Sequence, residues 1–264
     1  MNLDRMFQAG LGLAILGVVW AVWPQPGLGA YTWQNRFRRS AYHRGPAVLI
    51  DRGHWNRSVP DPRFEGLLQM LTWDGYQVAR NRQDLVPELL RTTRVLVIPN
   101  ALGWKGVLQP LVGKVGLRLH PQAFSVAEVE AVRDWVHGGG SLLLIADRAP
   151  AAEASQALAG EFGVRLVDGG ESTVPFSRDG GLGDDAIANG RPEEGEEVEY
   201  AVSFSGGKLW GPPGSMTFLK EQGVAFESGR GRVVALTAQL AGPQGRSTDN
   251  RQLMLNIMHW LSRR

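Results

Sequence analysis

Asp51 and His54 are the residues whose types and spacing come closest to chemistry in this sequence. They lie in the stretch AVLIDRGHWNRS (47–58), where an apolar run ends in the Asp and Asn56 follows the His. An Asp and a His from one loop can share acid–base chemistry, or hold a divalent ion together with a further ligand. The same residues also occur as plain polar groups where a strand meets a loop. Both interpretations stay open at this point.

More polar residues follow other predicted strands. In an open parallel sheet, ligands bind beyond the carboxyl ends of the strands, so we expect these side chains to share one edge. Such a set could hold a small polar ligand, a sugar or a divalent cation. If a metal ion bound there, Asp51, His54 and Asp147 would be its ligands. The candidate ligand-binding residues are Asp51, His54, Asn56, Asn100, Asp147, Arg148 and Gln239.

Several function classes lack their usual support. The chain has no Cys, which removes disulfides, thiolate metal sites and Cys nucleophiles. It contains no Gly-x-Ser-x-Gly, no Walker A motif, no Gly-x-Gly-x-x-Gly after a strand and no His-Glu-x-x-His. The net charge of +2 is too small to indicate a nucleic-acid partner. We therefore expect no cofactor, and no metal either, because Arg148 would repel a cation.

The elements that must position these residues alternate between strands and helices. Short apolar runs predict strands buried on both faces, and Ser125 with Glu128 forms a capping box at the start of the clearest helix. This rhythm predicts βαβ units and a three-layer α/β sandwich with a mostly parallel, flavodoxin-like sheet. Asp249 is expected to cap the last helix. The predicted strands are 47–51, 76–80, 95–100, 141–147 and 164–168, a hairpin through SGRG follows, and the main helices cover 61–75, 84–93, 124–140, 151–162 and 249–264.

Two segments interrupt this rhythm. The connection 101–124 is unusually long. It could form a functional lid or contain a hairpin of its own, or it could be a surface segment with its own small core. Residues 169–200 are rich in Gly, Asp and Glu, and the Glu run near their end is expected to be a solvated loop.

The N-terminal part of the chain predicts membrane contact or export. No charged residue lies between Met6 and Tyr31, and the apolar run 6–23 fits a signal peptide or membrane anchor within residues 1–30. Residues 31–45 form a basic and aromatic linker typical of a membrane–water interface. Its Arg residues favour the cytoplasmic side, whereas the signal-like start and the lack of Cys favour export. We place the domain, residues 46–264, outside the cytoplasm.

The order of these pieces resembles the type-1 glutamine amidotransferase-like superfamily. It is most similar to a membrane-anchored bacterial branch without the nucleophilic Cys, related to gliding-motility auxiliary and intraflagellar-transport domains. The matching text is VLIDRGHWN, LLQMLTWDGYQV, VLVIPNALG, FSVAEVEAVRDWVHGGGSLLLIADRAP, GRGRVVALTAQ and DNRQLMLNIMHWL, which together span residues 47–261.

This resemblance implies a class I glutamine amidotransferase-like fold that is retained for binding or assembly. Glutamine hydrolysis by the family's Cys is excluded, because this chain has none. Relatives carry a His after the Asp of the IAD segment and a smaller residue after the first His. Arg148 and Trp55 depart from that pattern, which weakens a metal site.

The sequence thus favours a non-catalytic, membrane-tethered or exported binding or assembly domain. Its partners would be a small polar ligand at the strand ends, or other envelope proteins. The alternative is a metal-dependent or acid–base hydrolase that uses Asp51, His54 and Asp147.

Overall fold

A computed structural model describes residues 41–56, 62–240 and 248–264. The strands are β1 (Ala47–Asp51), β2 (Gln77–Asn81), β3 (Val95–Pro99), β4 (Ser141–Ile145), β5 (Arg165–Val167), β6 (Glu171–Ser177), β7 (Tyr200–Ser205), β8 (Lys208–Trp210), β9 (Met216–Leu219), β10 (Gly223–Ser228) and β11 (Gly231–Leu236). The helices are α1 (Pro62–Trp73), α2 (Pro87–Leu90), α3 (Gly103–Val112), α4 (Val126–His137), α5 (Ala151–Glu161), α6 (Ala186–Asn189) and α7 (Asn250–Ser262).

A seven-stranded sheet with the order β2-β1-β3-β4-β11-β10-β9 forms the centre of the domain. The strands from β2 to β11 in this order run parallel, whereas β10 runs antiparallel to both of its neighbours. The mostly parallel sheet and the SGRG hairpin between β10 and β11 are therefore confirmed. We call the side on which β1, β3, β4 and β11 end the carboxyl edge, and the opposite side the amino edge.

Helices cover both faces of this sheet. On one face α1 and α7 pack through fully buried side chains such as Leu71 and Ile257. On the other face α4 and α5 do the same through Val132 and Leu158. Because every central strand contributes to both layers, its sequence is apolar without alternation. The three-layer sandwich is confirmed.

Strand β5 does not extend the central sheet as the βαβ rhythm suggested. It pairs antiparallel with β8 in a separate two-stranded sheet. The place beside β4 is taken by β11, whose Arg232 is in register with Ser141. A long-range pairing of this kind displaces the strand that follows next in the chain.

The segment 169–200 is more ordered than its composition predicted. It contains β6, which pairs with β7, and the short helix α6. Glu196 is buried and not solvated, because the guanidinium groups of Arg191 and Arg264 lie 2.9 and 3.0 Å from its carboxylate. The prediction of a solvated loop was wrong for this residue.

The role predicted for Asp249 was also wrong. Its side chain makes no capping hydrogen bond to α7. One carboxylate oxygen instead accepts the backbone N–H groups of Glu199 and Tyr200, at 3.0 and 3.1 Å. This carboxylate therefore binds backbone N–H groups at the start of β7 and not those of the helix.

The connection 101–124 forms α3 and a short 3₁₀ turn (Gly113–Val115). Leu102, just before the helix, is buried in the same core as α4 and α5. Of the alternatives for this segment, the described residues show a helix that packs against the domain.

The predicted hydrophobic N-terminal helix lies outside the described residues, as does the linker up to residue 40. The last residues of the linker contact the domain at the amino edge, where Tyr42 N–H donates to the carbonyl of Asp74 (3.1 Å) and Gly45 N–H to that of Gly75 (2.8 Å). In the part of the chain that the structure describes, no helix combines the length and the apolarity needed to cross a membrane.

Candidate functional site

The predicted polar residues lie along the carboxyl edge. Asp51 is the last residue of β1, Asn100 follows β3, and Asp147 and Arg148 follow β4. Gln239 comes shortly after β11, which pairs in parallel with β4. The edge is shared, as expected, but the side chains form two clusters with different partners.

The first cluster is built by the loop after β1. His54 Nδ1 lies 2.9 Å from Asp51 Oδ2, and the amide nitrogen of Asn56 donates to the same oxygen at 3.0 Å. The other oxygen of Asp51 accepts the N–H of Gly53 at 3.1 Å. The carbonyl of His54 accepts the N–H groups of Leu102 and Gly103, so this loop is joined to the start of α3.

Glu128 completes this cluster from the first turn of α4. Its Oε1 lies 2.7 Å from His54 Nε2 and accepts the N–H of Leu85 at 3.1 Å. Its Oε2 accepts the N–H and the hydroxyl of Ser125, which confirms the predicted capping box. Asp51, His54 and Glu128 are all buried.

Glu128 was not among the site residues predicted from the sequence. Its capping role was visible, but its bond to a residue 74 positions away was not. One signal was available in principle. A helix that precedes a parallel strand begins at the carboxyl edge, so the polar residues of its first turn face the same place as the strand ends.

The electrostatics of this cluster favour a charged imidazole. Burial lowers the pKa of His54, but the hydrogen bonds and charges of Asp51 and Glu128 outweigh it and raise the pKa from 6.5 to about 9. Burial also raises the pKa of Glu128, and the bonds from His54 and Ser125 outweigh it and lower the pKa from 4.5 to about 2. His54 is therefore an imidazolium at neutral pH, with both N–H groups donated to carboxylates.

This arrangement leaves little room for catalysis or metal binding by His54. A general base or a metal ligand needs a nitrogen lone pair, and each ring nitrogen here holds a proton directed at a carboxylate. Asp147 belongs to the second cluster, so Asp51, His54 and Asp147 do not form one ligand set. Within the described ranges, no group of three or more His, Cys, Asp or Glu side chains could hold a metal ion.

The second cluster joins the ends of β3, β4 and β11. Asn100 Nδ2 donates to Asp147 Oδ1 at 2.8 Å, and Asp147 N–H donates back to Asn100 Oδ1 at 2.9 Å. Asn100 adopts φ = +42°, a conformation that Asn tolerates better than most residues. Arg148 Nε lies 3.4 Å from Gln239 Oε1. Asp147 and Arg148 are half-buried.

Asn56 links the two clusters. Its amide nitrogen also donates to the carbonyl of Pro99, at 2.8 Å, directly before Asn100. The N–H of Asn100 in turn donates to the carbonyl of Ile145 at 2.7 Å. The loops after β1, β3 and β4 are thus connected by a continuous set of hydrogen bonds.

Two exposed tryptophans lie at this rim, and neither was among the site residues predicted from the sequence. Trp55 is 60% exposed and Trp104 56% exposed. Trp55 has φ = +55°, which is a true outlier for a bulky side chain. Its neighbour His54 is fixed by hydrogen bonds of both its side chain and its backbone, and these hold the strained backbone in place. Exposed aromatic side chains on strained loops at a sheet edge are typical of binding sites.

Comparison with known proteins gives the fold. No family model and no curated protein matches this sequence. Among solved structures, the mmIFT52 N-terminal domain matches with a TM-score of 0.57 and 13% identity, over 81% of this chain and 96% of that one. A cytoplasmic protein from Salmonella typhimurium LT2 matches with a TM-score of 0.53 and 15% identity, over 82% and 99%.

A GMP synthase-like protein from Thermoplasma acidophilum also matches, with a TM-score of 0.49 and 12% identity over 82% of this chain and 94% of that one. At such identities a common fold does not assign an activity. Membership of the glutamine amidotransferase-like superfamily stays a prediction, whereas the predicted resemblance to the intraflagellar-transport domain is confirmed for the fold. The chain has the mostly parallel α/β fold that it shares with the mmIFT52 N-terminal domain.

Proposed function

We propose that this chain is a non-catalytic binding domain, tethered to a membrane through residues 6–23, whose carboxyl edge binds a small polar ligand. The observation that carries this proposal is the state of His54. It is the imidazole that the sequence placed at the site, and both of its nitrogens donate to buried carboxylates at 2.9 and 2.7 Å.

The chemistry of the rim supports a ligand that is polar but also has apolar faces. Arg148, Asp147 and Gln239 supply a guanidinium, a carboxylate and an amide within one cluster. Trp55, in the loop after β1, and Trp104, at the start of α3, add two exposed aromatic surfaces at the same edge of the sheet. Sites of this kind combine a few orienting polar groups with aromatic walls. A sugar or another polyhydroxylated molecule has the matching chemistry.

One observation favours a second candidate, an acid–base hydrolase. The hydrogen bond between Asp51 and His54 Nδ1 is the contact that orients a catalytic His in a triad. In such a triad the other nitrogen must accept a proton from the nucleophile. Here that nitrogen meets Glu128, and a pKa of about 9 leaves the imidazole protonated at neutral pH.

Turnover assays on the full-length chain in detergent separate the two candidates. The substrates would be a panel of p-nitrophenyl esters and glycosides, with EDTA or with added divalent ions. We expect no turnover above that of Asp51→Asn. Turnover that disappears in Asp51→Asn, while the far-UV circular dichroism stays unchanged, would overturn the binding proposal.

Binding itself can be measured by saturation-transfer NMR with a panel of mono- and oligosaccharides. We expect a signal that Asp147→Asn and Trp104→Ala each weaken. Trp210→Ala is the matched control, because Trp210 is 45% exposed on β8, away from the carboxyl-edge clusters. A signal that all three variants weaken equally, or no signal with any sugar, would contradict the proposed ligand class.

A further inference from the structure

We propose that the amino edge of this domain is a docking surface for the headgroups of anionic phospholipids. Four arginines, Arg94, Arg230, Arg232 and Arg263, meet there and are called the arginine cluster below. This inference goes beyond the proposed function, because it gives the folded domain a membrane contact of its own. It also differs from the proposed membrane tether, in which only residues 6–23 contact the membrane.

Backbone carbonyls hold the arginine cluster together. Arg94 precedes β3 and its Nη1 donates to the carbonyl of Gly139 at 2.8 Å. Arg263, at the end of α7, donates to the carbonyl of Arg230 in the turn before β11. Arg232 donates to the carbonyl of Trp260. These bonds use neutral partners, so they position the guanidinium groups of Arg94, Arg232 and Arg263 without cancelling their charge.

The cluster has more positive than negative charge. Glu227 lies 3.2 Å from Arg232 and 4.0 Å from Arg263. Among the described residues, no carboxylate lies within 4.0 Å of Arg94 or Arg230. Two of the four guanidinium groups thus share one carboxylate and the other two have none within this distance, so the cluster has an excess of +3. Burial lowers the pKa of Arg94, and the nearby charges of Arg263 and Arg232 add to this effect.

The chain enters the domain at this same edge. Tyr42 and Gly45 contact Asp74 and Gly75, which follow α1, and Arg44 between them is exposed. The residues that precede this entry include the apolar run 6–23. If that run binds a membrane, the chain connects the amino edge to the same membrane. The negative charge of lipid headgroups complements the arginine cluster.

The aromatic residues of this edge fit the same surface. Trp73, the last residue of α1, is 50% exposed. The guanidinium of Arg232 lies 4.7 Å from the ring centre of Trp260. Tryptophan and arginine side chains together are typical of the membrane–water interface, where an apolar body meets charged headgroups.

The buried cluster of the candidate site differs in charge from the arginine cluster. It combines two carboxylates, Asp51 and Glu128, with one imidazolium, and therefore has a net charge of −1. A domain that docks by the arginine cluster lies on an anionic surface by its amino edge. The rim of the candidate site then faces away from the membrane.

Site-directed labelling tests this docking, because the full-length chain has no Cys of its own. A fluorophore would be attached through Thr92→Cys on the amino edge or Gln83→Cys on the carboxyl edge, both exposed positions. The labelled chain would be reconstituted into vesicles that carry nitroxide-labelled headgroup quenchers. The vesicles would contain phosphatidylcholine alone or mixed with phosphatidylglycerol.

We expect the Thr92 label to be quenched more in the vesicles with phosphatidylglycerol, and the Gln83 label in neither. The double variant Arg94→Gln/Arg230→Gln should lower the ratio of docked to undocked domain roughly 30-fold, from about 1 kcal/mol for each Arg near an anionic surface. The matched control Arg80→Gln/Arg82→Gln removes the same charge on the other side of the domain. It should leave the quenching unchanged.

The experiment distinguishes a failure of the proposed docking surface from a failure of the proposed membrane tether. A chain that both vesicle types retain, with equal quenching of the Thr92 label in each, would refute the docking surface and leave the tether intact. A chain that neither vesicle type retains would refute both. Equal losses in the two double variants, with unchanged thermal melting, would also overturn the role of the arginine cluster.

Discussion

We expect Glu128→Gln to destabilise the protein most near pH 6 and least above pH 9. The variant keeps an amide oxygen that can accept the N–H of His54, but it removes the negative charge. In the native protein the pKa of His54 is raised from 6.5 to about 9, which corresponds to about 3 kcal/mol in favour of the folded state with a charged imidazole. This stability is fully present below pH 6.5 and is lost as the pH rises through 9.

Two carboxylates share that stabilisation, so Glu128 accounts for about half of it. We expect a loss of about 1–2 kcal/mol at pH 6 and a much smaller one once His54 is neutral. The pKa of Glu128, lowered to about 2, describes the same ion pair from its other partner and is not added to this figure. It predicts a separate loss of stability as the pH falls from 4.5 towards 2.

Urea unfolding followed by far-UV circular dichroism between about pH 5 and pH 10 measures this difference, and an NMR titration of His54 should show its pKa fall. Glu153→Gln is the matched control. Glu153 pairs with the exposed His120 at 3.3 Å, and exposed pairs of this kind contribute at most about 1 kcal/mol. A difference between native protein and Glu128→Gln that stays constant from pH 6 to pH 10 would refute the charged imidazole.

Three further substitutions test other parts of the structure by the same urea unfolding. Trp55→Gly should stabilise the protein by about 0.5–1 kcal/mol, because the strain energy released at the positive φ exceeds the entropic cost of ordering a glycine. A loss of stability would contradict the backbone strain. Ser125→Ala should cost about 1 kcal/mol through the lost helix cap, and no cost would mean that the cap is unimportant. Phe218→Ala should cost about 3–5 kcal/mol, because this ring is fully buried, whereas less than 1 kcal/mol would argue against the core as described.

The parts of the fold that the sequence predicted well depend on local patterns. β1, β3 and β4 are buried on both faces, so each appears as an uninterrupted apolar run. Ser125 and Glu128 lie three positions apart, and their hydrogen bonds belong to one helix turn. Patterns of this range do not depend on where the rest of the chain goes.

The parts that the sequence did not predict depend on distant partners. β5 lost its expected place because β11 pairs with β4. The carboxylate of Asp249 accepts an N–H group at the start of β7 and caps no N–H group of its own helix. The site shows the same limit. The carboxyl edge was predicted from strand order, but the partner that changes the chemistry of His54 is Glu128, and no spacing in the sequence joins the two.

The hydrogen bonds that link the loops after β1, β3 and β4 have a kinetic consequence. Asn56 and the reciprocal pair of Asn100 with Asp147 hold these loops in one arrangement before any ligand arrives. A ligand that enters such a rim meets a surface that does not have to reorganise. Its observed binding rate should therefore rise linearly with ligand concentration, in a single exponential phase and without a plateau. The lifetime of the complex would then distinguish good ligands from poor ones, since the rate of capture would be nearly the same for all of them.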